Sequence, residues 1–359
     1  MKKTGCAVIG YGGMGGWHTR YMLKSDVCEL KGIYDINPEK SALAESNGIR
    51  AYSSREELLS DPSIELVTVA TPNDSHEEIA IAAMKAGKNV ISEKPVTVSL
   101  ESLDRMIAVS KQTGKLFTVH QNRRWDCDYR MMKEAYRSGL MGRIFGVESR
   151  IQGSRGIPGD WRGIKNRGGG MIYDWGIHLI DQMLGIINDR KIEAVYCRCE
   201  HITNSEVDDG FKLDLFFEGG LVGHIEVGTH HFYALPRFYM TGTSGSAVIN
   251  DWRDRCEVIH CTDSPEAQVK PVITAAGMTK TMAPRSEDTM KTVYIERPDS
   301  DVHDFYRNYT KAIRGETVQY VTHAQMRRDM AVMEAAFKSD RLSRKISFKD
   351  DFGEDPIAP

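Results

Sequence analysis

A lysine, an aspartate and a histidine carry most of the chemistry this sequence offers. Lys94 stands in "EKP" (Glu93–Pro95), directly after a short apolar run. Asp174 and His178 stand in "GGGMIYDWGIHLID" (Gly168–Asp181), which ends in a second aspartate, Asp181. On an α-helix, spacings of four and three put Asp174, His178 and Asp181 on one face. Buried carboxylates and imidazoles are costly unless paired. Three readings fit the stripe: a satisfied polar seam in a core, a metal site, or the acid–base apparatus of an enzyme. A metal site would hold a single histidine with no second cluster to complete it, so no metal is expected. Read as acid–base chemistry, Asp174 lies near the helix N-terminus, where the dipole favours a carboxylate. The same field, with burial, disfavours imidazolium and keeps His178 available as a base. An ammonium such as Lys94, placed in a crevice, orients a substrate hydroxyl and stabilises a developing alkoxide. On local signal alone, the core seam and a surface lysine before a turn are the plainer readings.

The groups that would position such chemistry lie further toward the N-terminus. "GYGGMG" fits G-x-G-x-x-G as Gly10, Gly12 and Gly15, between an apolar run and a helical pattern. That context gives the pattern its meaning: glycines allow a tight turn and close approach of a pyrophosphate to a helix N-terminus. Gly10, Tyr11, Gly12, Gly13 and Met14 are therefore candidate cofactor contacts. Asp35 ends the next predicted strand, at about the twenty-residue spacing where a carboxylate accepts from the ribose 2′-hydroxyl. No arginine follows it directly, which favours NAD over NADP. "ATPNDSH" (Ala70–His76) follows another predicted strand, so Thr71, Pro72, Asn73 and His76 either line the cofactor or form a Pro–Asn helix entry. Glu93 and Lys94 end a fourth strand facing the same crevice.

These motifs sit on a regular frame. Apolar runs at Cys6–Gly10, Cys28–Asp35, Glu65–Pro72, Asn89–Pro95 and Leu116–Asn122 alternate with helical patterns, the one after Asp35 opened by Asn37 as N-cap and Pro38. That alternation predicts a doubly wound parallel sheet over residues 1–122. From 123 to 359 the pattern changes. One helix (Tyr129–Arg137) precedes long period-two runs such as "DGFKLDLFFEGG", which predict a mostly antiparallel open sheet covered on one face. Two helices, near Val302–Arg314 and Ala324–Ser339, close the chain. The tract Thr262–Asp299 reads as loops. Cys197, Cys199 and His201 share a strand face but read as small residues packing, and His230 and His231 point to opposite faces of an extended chain. Neither group enters the candidate set.

Bulk properties narrow the partners. A net charge of -3 over 359 residues argues against nucleic acid as the main partner. Seven scattered cysteines without a CxxC suggest a reducing compartment. No apolar stretch reaches membrane-spanning length, and the N-terminus lacks a signal-peptide pattern. The expectation is a cytoplasmic protein that does not engage membranes.

Taken in order, "GYGGMGGWH", "TPNDSH", "EKP", "HQNRRWD", "DWRG", "DWGIHLID" and "DFYRNYTKAIRG" resemble the Gfo/Idh/MocA oxidoreductases, the glucose–fructose oxidoreductase and inositol dehydrogenase family. The resemblance covers most of the chain. It implies an α/β fold: an N-terminal Rossmann domain followed by a C-terminal α+β domain whose large, mostly antiparallel open sheet serves homo-oligomer contacts, dimer or tetramer. It implies NAD as cofactor, Lys94 as the substrate-orienting lysine, His178 as the acid–base residue and Asp174 as its partner. Asn122 and the pair Trp161–Arg162 match positions that approach the cofactor, while the roles of Arg123 and Arg124 stay open. The implied reaction is hydride transfer between NAD and a secondary hydroxyl of a sugar, glycoside or polyol, with pyranose C3 among the candidate positions. Two other activities occur on this scaffold: redox-neutral, NAD-dependent glycoside cleavage and non-catalytic sensing of sugar or NAD.

Overall fold

The computed structural model describes residues 2–262 and 269–351. Its first sheet is parallel throughout, in the order β2-β1-β3-β4-β5, built from β1 (Thr4–Ile9), β2 (Cys28–Tyr34), β3 (Leu66–Val69), β4 (Asn89–Ser92) and β5 (Phe117–Val119). Strands β1, β3, β4 and β5 are buried at every residue. That is why they read as continuous apolar runs rather than alternating ones. Helices α1 (Gly13–Lys24), α2 (Pro38–Ser46), α3 (Arg55–Ser60), α4 (His76–Lys85) and α5 (Leu100–Thr113) connect them. The Asn37 side chain accepts from the Glu39 N–H, with Pro38 in the first turn, so the predicted cap forms.

After α6 (Cys127–Arg137) comes a nine-stranded sheet. Its strands are β6 (Ile144–Gln152), β7 (Ile192–Glu200), β8 (Gly210–Phe217), β9 (Val222–Gly228), β10 (Phe238–Gly242), β11 (Gly245–Ile249), β12 (Cys256–Cys261), β15 (Met290–Ile295) and β16 (Ile346–Ser347). The order is β15-β12-β11-β10-β6-β9-β8-β7-β16, and only the β6–β9 pair is parallel. Along β8, Phe211, Leu213, Leu215 and Phe217 are buried and Lys212 is exposed, the alternation of a sheet with one covered face. Helix α7 (Ile177–Ile186) covers that face. Ion pairs stud the other, among them His224–Asp214 at 2.7 Å and Arg150–Glu226 at 3.2 Å.

The tract 262–299 is not all loop. It holds a small hairpin, β13 (Val272–Thr274) and β14 (Gly277–Thr279), and it supplies the edge strand β15. β15 was hidden because its side chains are mostly exposed or half-buried, which gives no buried face to read. The part of this tract at 263–268 lies outside the described residues, as does 352–359.

The closing helices α8 (His303–Ile313) and α9 (His323–Leu342) return to the first sheet. Tyr309 Oη donates to the Val90 carbonyl at 2.8 Å, and Thr118 Oγ1 donates to the Val321 carbonyl at 3.0 Å. These helices therefore bind the C-terminal part of the chain to the first sheet, and α9 also packs on β7 of the second. No helix among the described residues is long and apolar enough to cross a membrane.

Candidate active site

The C-terminal ends of the parallel strands open onto a cleft of about 760 Å³, where open α/β sheets bind ligands. The loop between β1 and α1 forms its floor. Gly10 has a φ of +93°, and a Cβ there would lie 2.5 Å from the Ala70 carbonyl oxygen, so only glycine fits. Gly12 and Gly13 would meet nothing within 4 Å. Their backbone faces open space at a helix N-terminus, a cradle that fits a pyrophosphate. Met14 lines the cleft as well. Asp35 is locked at the rim: Oδ2 accepts from the Tyr11 N–H at 2.6 Å and Oδ1 from the Asn37 N–H at 2.8 Å. Tyr11 is buried and contributes its backbone there.

Thr71, Pro72 and Asn73 line the same cleft. The Asn73 amide also donates to the Gly168 carbonyl at 2.8 Å, tying this loop to the glycine run of the second sheet's side. Two expected cofactor contacts lie elsewhere. His76 is fully buried, with ring nitrogens 2.9 Å from the Thr71 and Pro95 carbonyls, so it clamps two strand-end loops rather than lining the cleft. Asn122 opens instead into a second depression with Trp17 and Trp125, because the chain turns away at the end of β5.

At the inner end of the cleft, the two halves of the chain meet through charge. Lys94 Nζ donates to Asp174 Oδ1 at 2.8 Å and to the Asp174 carbonyl at 2.9 Å. Arg162 Nε reaches Asp174 Oδ2 at 3.2 Å, and Arg162 Nη1 reaches Asp160 Oδ2 at 2.7 Å. Trp161 and Arg162 thus close the cleft from the second sheet's side. Burial would raise the Asp174 carboxyl, but the Lys94 and Arg162 charges outweigh it and hold the group below its ordinary range. His178 is 5% exposed. Burial first, then the nearby Lys94 and Arg123 charges, push its proton affinity well below that of an ordinary histidine. The imidazole thus favours its neutral form, and among the described residues its buried Nδ1 has no hydrogen-bond partner. Such an orphan costs about 1–3 kcal/mol, and a buried polar atom left open calls for an explanation in function.

Asp181 turns away from this group. Its carboxylate takes the Arg124 guanidinium, Nε lying 2.9 Å from Oδ2, and Arg124 also donates to Gln325 and the Tyr320 carbonyl. The pair fastens α7 to the start of α9. Arg123 pairs with Asp126 at 2.9 Å and lies 4.2 Å from the Trp175 ring centre.

Sequence reasoning missed two sets of supports. Glu93 Oε1 accepts from both His18 Nε2 (2.8 Å) and His120 Nδ1 (2.9 Å), its Oε2 accepts from the Lys94 N–H (3.1 Å), and His18 Nδ1 meets the Tyr306 hydroxyl. All are buried directly beneath Lys94. The only available signal was His18, three residues beyond Gly15. Asp208 holds the start of the helix that carries His178, accepting from the Ile172 N–H at 2.8 Å through Oδ2, while its carbonyl accepts from Met171 N–H at 3.0 Å. Burial pushes its carboxyl up to about 7.

Residues 4–121 match a family described as an oxidoreductase family with an NAD-binding Rossmann fold, Gfo/Idh/MocA, and residues 129–248 match the Gfo/Idh/MocA C-terminal domain. This chain belongs to the Gfo/Idh/MocA oxidoreductase family. Among solved structures, this family member is similar to an NAD-binding protein from Listeria innocua, at 39% identity and a TM-score of 0.92 over 97% of this chain and 100% of that one. It is also similar to a scyllo-inositol 2-dehydrogenase (NADP(+)) of Bacillus subtilis, 28% identical over 81% of each chain. An uncharacterized oxidoreductase of Schizosaccharomyces pombe is 34% identical over 50% of this chain and 49% of that one. The chain thus matches about half the length of this yeast relative.

Proposed function

We propose that this Gfo/Idh/MocA member is an NAD-dependent dehydrogenase acting on a secondary hydroxyl of a sugar, glycoside or polyol. The observation that carries the reading is the Lys94–Asp174 ion pair at the inner end of the cleft, beside a buried His178 whose Nδ1 has no partner among the described residues. Lys94 orients the reacting hydroxyl and holds the oxygen as negative charge develops. His178 takes the hydroxyl proton, for which its neutral state leaves it ready. Asp174 keeps Lys94 in place and offsets its charge. NAD, when bound, supplies the hydride acceptor. Glu93 and Met14, with Thr71–Asn73, shape its berth.

The choice of NAD over NADP rests on Asp35. Its fixed carboxylate meets a ribose 2′-hydroxyl and repels a 2′-phosphate. Arg55, which lines the same cleft, is engaged by Glu78 at 2.7 Å and Glu56 at 3.5 Å. The substrate class is supported by the inositol-named relative, which itself is NADP-linked. The open face of the nine-stranded sheet suits a contact between copies of the chain, and a cytoplasmic setting fits its free cysteines.

The test is spectrophotometric NADH formation over a panel of inositols, hexoses and glycosides, with the wild type and with His178→Asn. Net NADH that depends on His178 supports the reading. Glycoside cleavage without net NADH would replace it with redox-neutral chemistry. Sugar binding without either reaction would replace it with sensing.

A further inference from the structure

An ammonium group carries three N–H donors. Two of those on Lys94 are taken, by Asp174 Oδ1 at 2.8 Å and by the Asp174 carbonyl at 2.9 Å. Among the described residues no hydrogen bond uses the third, so it is open to a substrate oxygen. Asp174 thus fixes the tip of the side chain. A lysine stem is long and flexible, so the direction of the open donor also depends on the peptide from which the stem starts.

That peptide is held by Glu93. Its Oε2 accepts from the Lys94 N–H at 3.1 Å. Its Oε1 accepts from His18 Nε2 at 2.8 Å and from His120 Nδ1 at 2.9 Å. Both imidazoles and the carboxylate are buried. Burial raises the Glu93 carboxyl, but the hydrogen bonds from His120 and His18 outweigh it and hold the group well below the ordinary carboxylate range. The group is therefore ionised and acts only as an acceptor. Behind His18, the Tyr306 hydroxyl meets Nδ1. Burial pushes that phenol well above its ordinary range, so it keeps its proton to donate. His18 then carries its own hydrogen on Nε2, aimed at Glu93. The two imidazoles come from α1 and from the end of β5, with α8 backing the first. The carboxylate cannot turn without breaking bonds to separate parts of the fold.

We propose that Glu93 is the positioning residue for Lys94: clamped by His18 and His120, its carboxylate fixes the Lys94 peptide so that the open ammonium hydrogen meets the reacting hydroxyl. The inference rests on the dehydrogenase reading, which gives Lys94 its task. It also explains why a carboxylate, rather than an amide, stands before the lysine. Glutamine has the same shape but a single acceptor oxygen. That oxygen serves the two histidines or the Lys94 N–H, not both. Its NH₂ group then faces whichever donor is left, and donor against donor releases that contact.

The test follows kcat and KM separately, on whichever sugar, inositol or glycoside gives NADH. Glu93→Gln should lower kcat about tenfold to a hundredfold, the cost of a slightly displaced reacting group. In a Lys94→Ala background the same substitution should change kcat by no more than about twofold, since a residue that acts through Lys94 has nothing left to position. His120→Leu and His120→Asn have nearly the same shape, and only asparagine keeps a donor for Glu93. The leucine variant should lose about tenfold in kcat with KM for NAD nearly unchanged, and the asparagine variant should recover most of that loss. Near-wild-type kcat in Glu93→Gln, a loss that persists undiminished in Lys94→Ala, or equal kcat in the two His120 variants would overturn the proposal. Independently of turnover, amide hydrogen exchange reads the Lys94 N–H in the cofactor-free enzyme. It should be about tenfold faster in Glu93→Gln than in the wild type, and an unchanged rate overturns the proposal. Failure of every sugar to give NADH would sink the dehydrogenase reading, while the exchange rate still decides whether Glu93 holds Lys94.

Discussion

Replacing Lys94 with alanine perturbs three things at once, and the structure assigns a direction to each. The first is chemistry. Losing a charged donor aimed at a developing alkoxide costs about 10²–10³ in kcat, or roughly 3–4 kcal/mol. The second is stability. Lys94 and Asp174 are 15% and 14% exposed. A buried pair broken on one side loses about 3–5 kcal/mol, but Asp174 keeps Arg162 at 3.2 Å, so the loss should fall below that range and the variant should fold. The third is the proton affinity of His178, which the Lys94 charge depresses second only to burial. Without that charge, imidazolium becomes easier to form. In the wild type, kcat/KM for hydroxyl oxidation should therefore stay level well below the pH at which an ordinary histidine titrates. In Lys94→Ala the acid limb should move to higher pH. Steady-state NADH formation across the acid range reads both effects, and calorimetry of NAD binding shows whether the cofactor site survives. A variant with near-wild-type kcat, or one whose acid limb stays in place, would refute the pairing of Lys94 with His178.

Other outcomes follow from single contacts. Asp35→Ala should weaken NAD and improve NADP in competition binding; tighter NADP binding by the wild type would contradict the role given to Asp35. Gly10→Ala puts a Cβ 2.5 Å from the Ala70 carbonyl at a φ of +93°, so NAD binding measured by calorimetry should be lost while circular dichroism shows the fold retained. Asp208 titrates near 7 in the folded chain and near 4 when unfolded, roughly. The folded state then holds an extra proton between those values, so this group's stabilisation is complete at low pH and declines as pH rises through about 7. Asp208→Asn lacks that proton exchange, so its urea stability relative to wild type should improve from about pH 5 to about pH 8; an unchanged difference would show that Asp208 does not titrate there.

What the sequence revealed depended on how local each signal was. Strands β1 to β5 were legible because a strand buried on both faces leaves an unbroken apolar run, and β8 because one covered face leaves strict alternation. The glycine loop was legible because Gly10 and Gly15 answer to close backbone contacts a few residues away or across one strand. Strand β15 was not, since an edge strand with exposed side chains carries no periodic core face. His18, His120 and Asp208 were hidden for a different reason. Each acts through a partner 75, 27 or 36 positions away, and a polar residue buried by such a partner looks in sequence like any surface residue. His76 shows the same limit: its position after a strand fits a cofactor contact or a helix entry equally, and only the carbonyls of Thr71 and Pro95 reveal the clamp it forms.

The helix that carries Asp174 and His178 shows where a spacing argument fails and why the site still forms. Counting by four and three puts Asp174, His178 and Asp181 on one face only if the helix is regular. Residues Ile172–Gly176 instead form a π-helical turn, in which the Ile177 N–H reaches the Ile172 carbonyl five residues back. A wider turn shifts the register of everything after it, by about 100° for one extra residue. The stripe is thereby divided. Asp174, inside the turn, faces Lys94 and Arg162, whereas Asp181, about two turns further on, meets Arg124. Gly176 permits the arrangement, since a Cβ there would sit 2.9 Å from the Phe211 ring. Such turns are rare and recur at functional sites. Here the turn is anchored at its start by Asp208 and at its far side by Asp181, both buried. The cost of the irregular turn is thus borne by two aspartates that never meet the cleft, which frees the third to hold Lys94.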